Sequence, residues 1–294
     1  MLVTKKKGRE ADNPAESSPG RALPSTYKLP EEPEEAVSDV GQLTFLIWGE
    51  RKIGKTSLSS KFPKTFHFLF EPGGKGFTGY KVRIKKWEDF QGYVRALIEE
   101  GVGRFQTVSI DIADKAWDMC SAYVCKNNGW ETPGDAPWGS GWDAVPKEFG
   151  KQIDLLTNAG FGILFLSHAT EREFLYRAGG SYHKLIPTMS KQASKYIMGF
   201  VDVIGFFGYY GTDRYLTIHG SDSLEGGQRC QERFRTVNGE IVHSIPMGLS
   251  PEEGYENLVT AFNNKQVEVF NLDDTDIEIR DQAKVKKPEP KSRR

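Results

Sequence analysis

The sequence has few features of a secreted or membrane-embedded protein. Its 294 residues include only three cysteines, Cys120, Cys125 and Cys230. An odd number of cysteines without a secretory signal favours reduced thiols in the cytoplasm. Cys120 and Cys125 have no histidine nearby, which disfavours a zinc site. The basic segment at residues 5–9 is not followed by the apolar stretch of a signal peptide, and no apolar run approaches the length of a membrane span. We therefore expect no association with a membrane.

An excess of charge of one sign is also missing. The chain has 39 lysines and arginines against 40 aspartates and glutamates, which gives a formal net charge of −1. A protein with this balance has no overall attraction for nucleic acid. Any binding of nucleic acid must therefore depend on local basic patches.

Large apolar residues are scarce at both ends of the chain. Residues 1–40 are rich in Pro, Glu, Ser and Lys and cannot bury enough surface to offset the entropy of ordering, so we expect a disordered tail. Residues 271–294 begin acidic and end basic, which predicts a charged, flexible tail. The basic end could contact nucleic acid, although a solvated tail is the simpler interpretation. The folded domain is expected at residues 41–270.

Apolar runs alternate with helical patterns between the two tails. The strand candidates are residues 43–48, 65–70, 106–112, 162–167 and 202–209. The helix candidates are residues 55–61, 88–100, 115–126, 143–158 and 190–199. This alternation predicts an α/β fold in which a mostly parallel sheet is covered by helices on both faces. Ligands in such folds bind at the carboxyl ends of the strands.

The pattern changes after about residue 210. Short strand candidates at residues 215–220, 233–237 and 241–246 are separated by glycine-rich turns, which predicts an antiparallel C-terminal extension. Another alternating segment, residues 81–86, carries Lys81, Arg83 and Lys85 on one face. It is typical of an edge strand, because charges deter edge-to-edge pairing. A part in nucleic-acid binding is the second interpretation of these charges.

The stretch GERKIGKT at residues 49–56 fits the phosphate-binding loop G-x-x-x-x-G-K-[ST] of P-loop NTPases. Its glycines let successive backbone N–H groups face inward around phosphate oxygens, and the following helix adds its N-terminal dipole. Lys55 is expected to contact the β- and γ-phosphates, and Thr56 to place its hydroxyl on Mg²⁺. The predicted nucleotide-binding residues are Gly49, Glu50, Arg51, Lys52, Ile53, Gly54, Lys55, Thr56 and Ser57.

An acidic residue that holds Mg²⁺ through water is expected at the end of a hydrophobic strand. Asp111 ends the run Val108-Ser109-Ile110 and fits this requirement. An aspartate there could instead cap the next helix. Asp114 is the nearby alternative for the metal.

Two further strand ends carry polar residues that suit phosphate chemistry. Glu71 follows the strand at 65–70 and could orient or activate the attacking water. The alternative for Glu71 is a surface carboxylate in a turn. His168 follows the strand at 162–167 and could contact the γ-phosphate, or it could be a structural histidine. The spacing alone leaves both interpretations of His168 open.

The order of these motifs resembles that of the RecA-like ATPases. It comprises GERKIGKT, then FLFEPG, TVSIDI, APWGSGWDAV and GILFLSHATERE, within a resemblance that covers about residues 41–248. The chain is most similar to short, phage-encoded ATP-binding proteins of that group, which consist of little more than the RecA core. The resemblance implies a RecA-like P-loop NTPase core that uses ATP and Mg²⁺.

The resemblance also implies roles for individual residues. Glu71 corresponds to the glutamate that polarises water, and His168 to the polar residue that senses γ-phosphate, which is Gln in full-length RecA proteins. Basic residues from a neighbouring subunit complete the ATP site in this family. The segment GQRCQERFR at residues 227–235 resembles the part that carries them, with Arg233 as first choice and Arg229 as second.

Two loops of RecA-like proteins bind single-stranded DNA, and by position they correspond to about residues 127–142 and 170–186. The first contains Trp130, Trp138 and Trp142, which could stack on bases or anchor the loop to the core. The second is predicted to be a flexible loop around Gly179 and Gly180 that either binds a single strand or is a solvated turn. Its basic and aromatic residues are Arg172, Tyr176, Arg177, Tyr182, His183 and Lys184.

The resemblance therefore implies an ATPase that binds single-stranded DNA in phage recombination, annealing or replication. It would act in the host cytoplasm as a homo-oligomer, either ring or filament, together with a separate single-strand-binding protein. We see no counterpart of the N-terminal oligomerisation helices or the C-terminal domain of bacterial RecA, so binding or annealing is expected rather than strand exchange. Two alternatives are a hexameric helicase-type motor and a nucleotide-dependent assembly protein with little turnover.

Overall fold

The computed structural model describes residues 29–33, 35–176 and 179–272. The chain divides into a short unit that ends at Ala36 and a compact unit that begins at Val37. In the short unit, residues 29–33, 35 and 36 form no helix or strand. Most of the two predicted tails, at residues 1–28, 34 and 273–294, lies outside the described residues, so the predicted tail boundaries stay predictions.

The compact unit contains ten strands among its described residues, and nearly all of them belong to one sheet. The strands are β1 Thr44–Gly49, β2 Thr65–Leu69, β3 Tyr80–Arg83, β4 Thr107–Asp111, β5 Gly162–Leu175, β6 Ser181–Pro187, β7 Val203–Tyr210, β8 Asp213–Thr217, β9 Gly227–Gln228 and β10 Ser244–Pro246. The order across the sheet is β10-β8-β7-β1-β5-β4-β2-β3, with β6 paired to β5 and β9 paired to β7. Strands β3, β2, β4, β5, β1 and β7 are parallel. The remaining pairings are antiparallel.

Six α-helices accompany these strands in the part of the chain that is described. They are α1 Lys55–Ser59, α2 Trp87–Ala96, α3 Ala113–Asn128, α4 Gly141–Asn158, α5 Lys191–Phe200 and α6 Pro251–Phe262. A π-helical turn at Leu97–Gly101 continues α2. Short 3₁₀ turns lie at Val40–Gln42, Pro133–Asp135 and Pro137–Gly139. Within residues 29–272, as far as they are described, no helix is long and apolar enough to cross a membrane.

Both faces of the sheet are covered, and each carries its own hydrophobic core. Trp48 and Phe165 point into a core shared with α2, α3, α4 and α5. Ile47 and Leu166, their neighbours in sequence, point into a second core shared with α1 and α6. Strands buried on both faces produce the continuous apolar runs seen in the sequence. The predicted α/β fold, with helices on both faces and an antiparallel C-terminal extension, is confirmed.

Two predicted details of the strands are settled by the pairing. Residues 81–83 of the predicted segment 81–86 belong to β3, which pairs with β2 and is the last strand of the sheet among the described residues, an edge position as predicted. The predicted strand at residues 233–237 is wrong. Arg235 and Thr236 form only isolated bridges there, to Ile241 and Gln266.

The prediction of a flexible loop at residues 170–186 is also wrong. Strand β5 pairs with β1 and β4 inside the parallel sheet and then continues past His168. Its outer part pairs antiparallel with β6, from Ala169 opposite Pro187 to Leu175 opposite Ser181. The segment is therefore a two-stranded hairpin, and its strands alternate side chains between two faces.

Candidate nucleotide-binding site

The predicted phosphate-binding loop connects β1 to α1. Gly54 immediately precedes the helix and has φ of +117°, a conformation that glycine adopts without steric cost. At the other end of the loop, a Cβ on Gly49 would lie 1.9 Å from the carbonyl oxygen of Phe207 on β7. Both glycines are therefore required by the backbone, one for its dihedral angle and one for the close approach of a neighbouring strand.

Lys55 is held inside this loop. Its Nζ donates to the carbonyl oxygen of Gly49 at 2.9 Å and to that of Glu50 at 2.6 Å, and only 6% of the residue is exposed. Burial lowers the pKa of Lys55 from its ordinary value of 10.5 to about 8, although Asp111 and other nearby carboxylates oppose the shift. Lys55 is therefore protonated at neutral pH and has few water contacts to lose when an anion binds.

Thr56 and Asp111 meet at the carboxyl end of β4. The Thr56 hydroxyl donates a 2.7 Å hydrogen bond to Oδ2 of Asp111. Burial raises the pKa of Asp111, while the bond from Thr56 and the charge of Lys55 oppose the rise. A hydroxyl and a carboxylate are suitable oxygen donors for Mg²⁺, which proteins bind through one or two carboxylates and substrate phosphates.

No group of three or more His, Cys, Asp or Glu side chains that could hold a metal occurs among the residues the structure describes. Asp114, the alternative ligand, accepts hydrogen bonds from Ser167 and Thr188 and does not line the cavity around the phosphate-binding loop. Thr56 and Asp111 therefore remain the predicted magnesium residues.

Glu71 and His168 face each other beside Lys55. Nε2 of His168 lies 3.7 Å from Oε1 of Glu71, and Nδ1 lies 3.5 Å from Nζ of Lys55. The position of His168 follows from the sheet, because it pairs with Gly49 in the register of β5 and β1. Burial and the charge of Lys55 lower the pKa of His168, so its imidazole is neutral at pH 7. A neutral ring can accept a hydrogen bond from Lys55 and donate one to Glu71.

These side chains surround one cavity of about 550 Å³. The predicted residues that line it are Arg51, Lys52, Gly54, Lys55, Thr56, Ser57, Glu71, Asp111 and His168. Gly49 and Glu50 lie behind the lining, where their carbonyls hold Lys55, and Ile53 is buried in the core. Leu69 and residues 72–74 also line the cavity and were not predicted. The structure thus brings together residues from the phosphate-binding loop, α1, β2, β4 and β5 at one edge of the sheet.

The two arginines proposed for a neighbouring subunit's site lie elsewhere. Arg233 donates from Nη2 to the carbonyl oxygen of Val37 at 2.9 Å, and its guanidinium lies 4.7 Å from the ring centre of Phe262. Arg229 donates to the carbonyl oxygen of Gly199 at 2.8 Å. Neither arginine lines the cavity of its own chain. A role in a second subunit's site stays a prediction for both.

The three tryptophans of the first predicted DNA loop differ in exposure. Trp130 packs partly buried against the core, which matches the anchoring interpretation. Trp138 is fully exposed, and Trp142 is 50% exposed. The carbonyl of Trp142 accepts a hydrogen bond from Gln192, so the start of α4 lies beside the start of α5. Only Trp138 and Trp142 are available for stacking on a ligand.

The hairpin of β5 and β6 has two chemically different faces. Arg172 lies opposite Lys184 and Phe174 lies opposite Tyr182, so these four residues share one face. The rings of Phe174 and Tyr182 stack with centroids 5.6 Å apart, and Tyr176 adds a third ring 4.6 Å from Tyr182. The other face carries Glu171, Glu173 and His183. Arg177 of the predicted set lies outside the described residues.

The parallel sheet and the phosphate-binding cavity at its edge define a P-loop ATPase domain. The sequence profile of a family described as an AAA domain matches residues 42–230, which is more than half of the chain, and the chain therefore belongs to this family. Over 130 residues the chain is also 29% identical to the SPbeta prophage-derived uncharacterized protein YorG of Bacillus subtilis (strain 168). That match covers 42% of this chain and 40% of the relative. The predicted P-loop ATPase class is confirmed, and the narrower RecA-like assignment remains a prediction.

Proposed function

We propose that this protein is a magnesium-dependent ATPase of phage recombination, annealing or replication, and that ATP controls its binding to single-stranded DNA. The observation that carries the proposal is the meeting of Lys55, Thr56, Asp111, Glu71 and His168 around one cavity. These residues come from distant parts of the sequence, and each is of the chemical type that phosphoryl transfer requires. The similarity to a prophage-derived protein supports the phage setting.

Binding of the triphosphate follows from the loop and Lys55. Backbone N–H groups of the loop and the start of α1 would surround the phosphates. Lys55 would exchange its bonds to the carbonyls of Gly49 and Glu50 for phosphate oxygens, and the added negative charge favours its protonated form. Thr56 and Asp111 would hold Mg²⁺, which neutralises charge on the β- and γ-phosphates when it is bound.

Hydrolysis requires a group that orients the attacking water, and we assign this role to Glu71. Its carboxylate lines the nucleotide cavity and is 39% exposed, so water can reach it. The carboxylate would accept a hydrogen bond from the water and take its proton as the water attacks the γ-phosphorus. The bond from that phosphorus to the bridging oxygen then breaks, and ADP and inorganic phosphate leave. His168 would keep Glu71 in position and contact the γ-phosphate.

Single-stranded DNA fits the basic, aromatic face of the hairpin. Arg172 supplies charge for the phosphate backbone, and Phe174, Tyr176 and Tyr182 supply rings on which bases can stack. Lys184 contributes less, because it already forms a 2.9 Å ion pair with Glu225. The opposite face repels DNA through Glu171 and Glu173. A single strand would therefore bind one face of the hairpin only.

Assembly into a ring or filament completes the proposal. Several subunits would place their hairpins along one DNA strand, which raises the affinity without any new kind of contact. Arg233, or else Arg229, would reach the ATP of the next subunit, and a separate single-strand-binding protein would deliver the DNA. Arg233 would first have to leave the carbonyl of Val37 and the ring of Phe262.

Fluorescence anisotropy of a labelled oligothymidylate tests the link between nucleotide and DNA. We expect tight binding with a non-hydrolysable ATP analogue and Mg²⁺, and weaker binding with ADP or without nucleotide. Lys55→Ala should lose the nucleotide effect, while its fold is checked by circular dichroism. DNA affinity that is the same in all three nucleotide states would contradict the proposal, and so would the absence of any DNA binding.

A further inference from the structure

Hydrogen bonds to Asp114, in the first turn of α3, connect both strands of the hairpin to the neighbourhood of the nucleotide site. Oδ2 of Asp114 accepts a 2.8 Å hydrogen bond from the hydroxyl of Ser167, which directly precedes His168 on β5. Oδ1 accepts a hydrogen bond from the hydroxyl of Thr188, which directly follows β6. One carboxylate therefore holds the point where the hairpin leaves the sheet and the point where it returns.

The backbone adds a second connection at the same place. The N–H of Thr188 donates to the carbonyl oxygen of His168 at 2.9 Å. Asp114 and Thr188 also line a cavity of about 240 Å³ that shares Arg51, Glu71 and His168 with the nucleotide cavity. A displacement of His168 by phosphate would therefore reach Thr188 directly.

We propose that Asp114 is a positioning residue that couples the occupancy of the nucleotide site to the order of the hairpin. The inference rests on the proposed function, in that the hairpin is taken as the DNA-binding element and His168 as the residue that responds to phosphate. Hydrogen bonds to an ionised carboxylate are roughly twice as strong as those between neutral groups. With both bonds to Asp114 present, the two ends of the hairpin are held against α3 beside the nucleotide site. Without them, β5 and β6 stay paired with each other, but the base of the hairpin loses this anchor.

The contacts of Asp114 separate this role from metal binding. Both of its carboxylate oxygens are engaged by hydroxyls of the hairpin's base, and Asp111 is the carboxylate that meets Thr56. Asp114 does not touch the reacting atoms, so its effect has to be measured at the hairpin rather than by turnover alone.

Hydrogen–deuterium exchange of the hairpin amides, followed by mass spectrometry, tests the coupling without DNA. In the wild type we expect exchange at residues 171–175 and 181–187 to be about tenfold slower with a non-hydrolysable ATP analogue than with ADP. Thr188→Val keeps the shape of the side chain and removes its bond to Asp114, so it should lose most of this difference. Thr170→Val is the matched control, because the Thr170 hydroxyl bonds to the carbonyl of Glu171 at 3.4 Å and, among the described residues, forms no bond to Asp114.

A second pair of variants separates coupling from loss of structure. Asp114→Ala should uncouple the hairpin, whereas Asp114→Asn should retain part of the coupling, because an amide can still bond to two hydroxyls. Binding of a fluorescent ATP analogue to each variant confirms that the nucleotide site is intact. The inference would be overturned if bound nucleotide slowed hydrogen exchange in the hairpin equally in the wild type and in Thr188→Val. It would also be overturned if bound nucleotide did not change hydrogen exchange in the wild-type hairpin. Failure of the proposed function would instead appear as absence of DNA binding in the wild type.

Discussion

The hydroxyl of Thr56 lies 2.7 Å from Oδ2 of Asp111, although 55 positions separate the two residues in sequence. If this pair holds Mg²⁺, Asp111→Asn should weaken the apparent affinity for Mg²⁺ by about 10- to 100-fold, as is usual when an outer ligand is removed. Titration of Mg²⁺ in an ATPase assay measures this change. Asp114→Asn is the matched control and should leave the Mg²⁺ dependence unchanged, and an equal shift in both variants would contradict the assignment.

Glu71→Gln tests the water-activating role. The amide keeps the size of the side chain but cannot take a proton, so we expect kcat to fall by about 10²- to 10⁴-fold with little change in ATP affinity. Single-turnover hydrolysis and equilibrium binding separate the two effects. Hydrolysis at the wild-type rate would remove Glu71 from the mechanism. Full biological activity and assembly without turnover would instead favour the nucleotide-dependent assembly protein.

The lowered pKa of Lys55 predicts a pH dependence of nucleotide binding. Below pH 8 the ammonium is present and binds phosphate, and above pH 8 each binding event must take up a proton. The affinity should therefore fall by about tenfold per pH unit above pH 8. The free energy of unfolding should change in the opposite direction. Between pH 8 and 10.5 the unfolded lysine binds more protons than the folded one, so this term raises stability as pH rises.

Lys55→Arg provides the control for this prediction. Arginine stays charged throughout the same pH range, so the slope above pH 8 should disappear whatever the absolute affinity of the variant. Binding of a fluorescent ATP analogue between pH 7 and 10 measures both proteins. A slope that persists in Lys55→Arg would assign the titration to another group.

The two faces of the hairpin predict opposite outcomes for neighbouring residues. Tyr182→Ala and Phe174→Ala should each weaken single-stranded DNA binding by about 1–3 kcal/mol, the usual contribution of a stacked base. Leu175→Ala is the matched control, since Leu175 is 80% exposed but lies on the opposite face. Anisotropy titrations compare the three variants. Equal losses for Leu175 and Tyr182 would show that the aromatic face is not the binding surface.

Most residues of the candidate nucleotide site can be predicted from the sequence, because they stand at the ends of apolar runs. Gly49 and Gly54 mark the loop, Asp111 is the last residue of one buried strand of the parallel sheet, and Glu71 follows another. The carboxyl ends of such strands meet at one edge, so sequence position alone predicts that these side chains converge. The contact of His168 with both Lys55 and Glu71 cannot be predicted from the spacing, because it depends on the register of β5 beside β1.

Three other features of the structure were not predicted, namely the hairpin, helix α6 and the hydrogen bonds of Asp114. The resemblance to RecA-like proteins implies a loop where the hairpin lies, whereas the alternation of side chains on either side of Gly179 and Gly180 is typical of two paired strands. Helix α6 was not predicted, although Ser250 followed by Pro251 and Glu253 is a typical helix start and the Ser250 side chain does accept from the Glu253 N–H. The bonds of Asp114 span 53 and 74 positions, and no local pattern indicates them.

ATP hydrolysis by the purified protein, with and without single-stranded DNA and beside Lys55→Ala, shows whether this cavity hydrolyses ATP under the control of DNA. We expect magnesium-dependent release of phosphate that rises when single-stranded DNA is added and is lost in the variant. Turnover that survives Lys55→Ala would show that this cavity is not the site of hydrolysis. Turnover that depends on Lys55 but does not change when DNA is added would support the assignment as an ATPase. It would contradict the proposed control of the protein by single-stranded DNA.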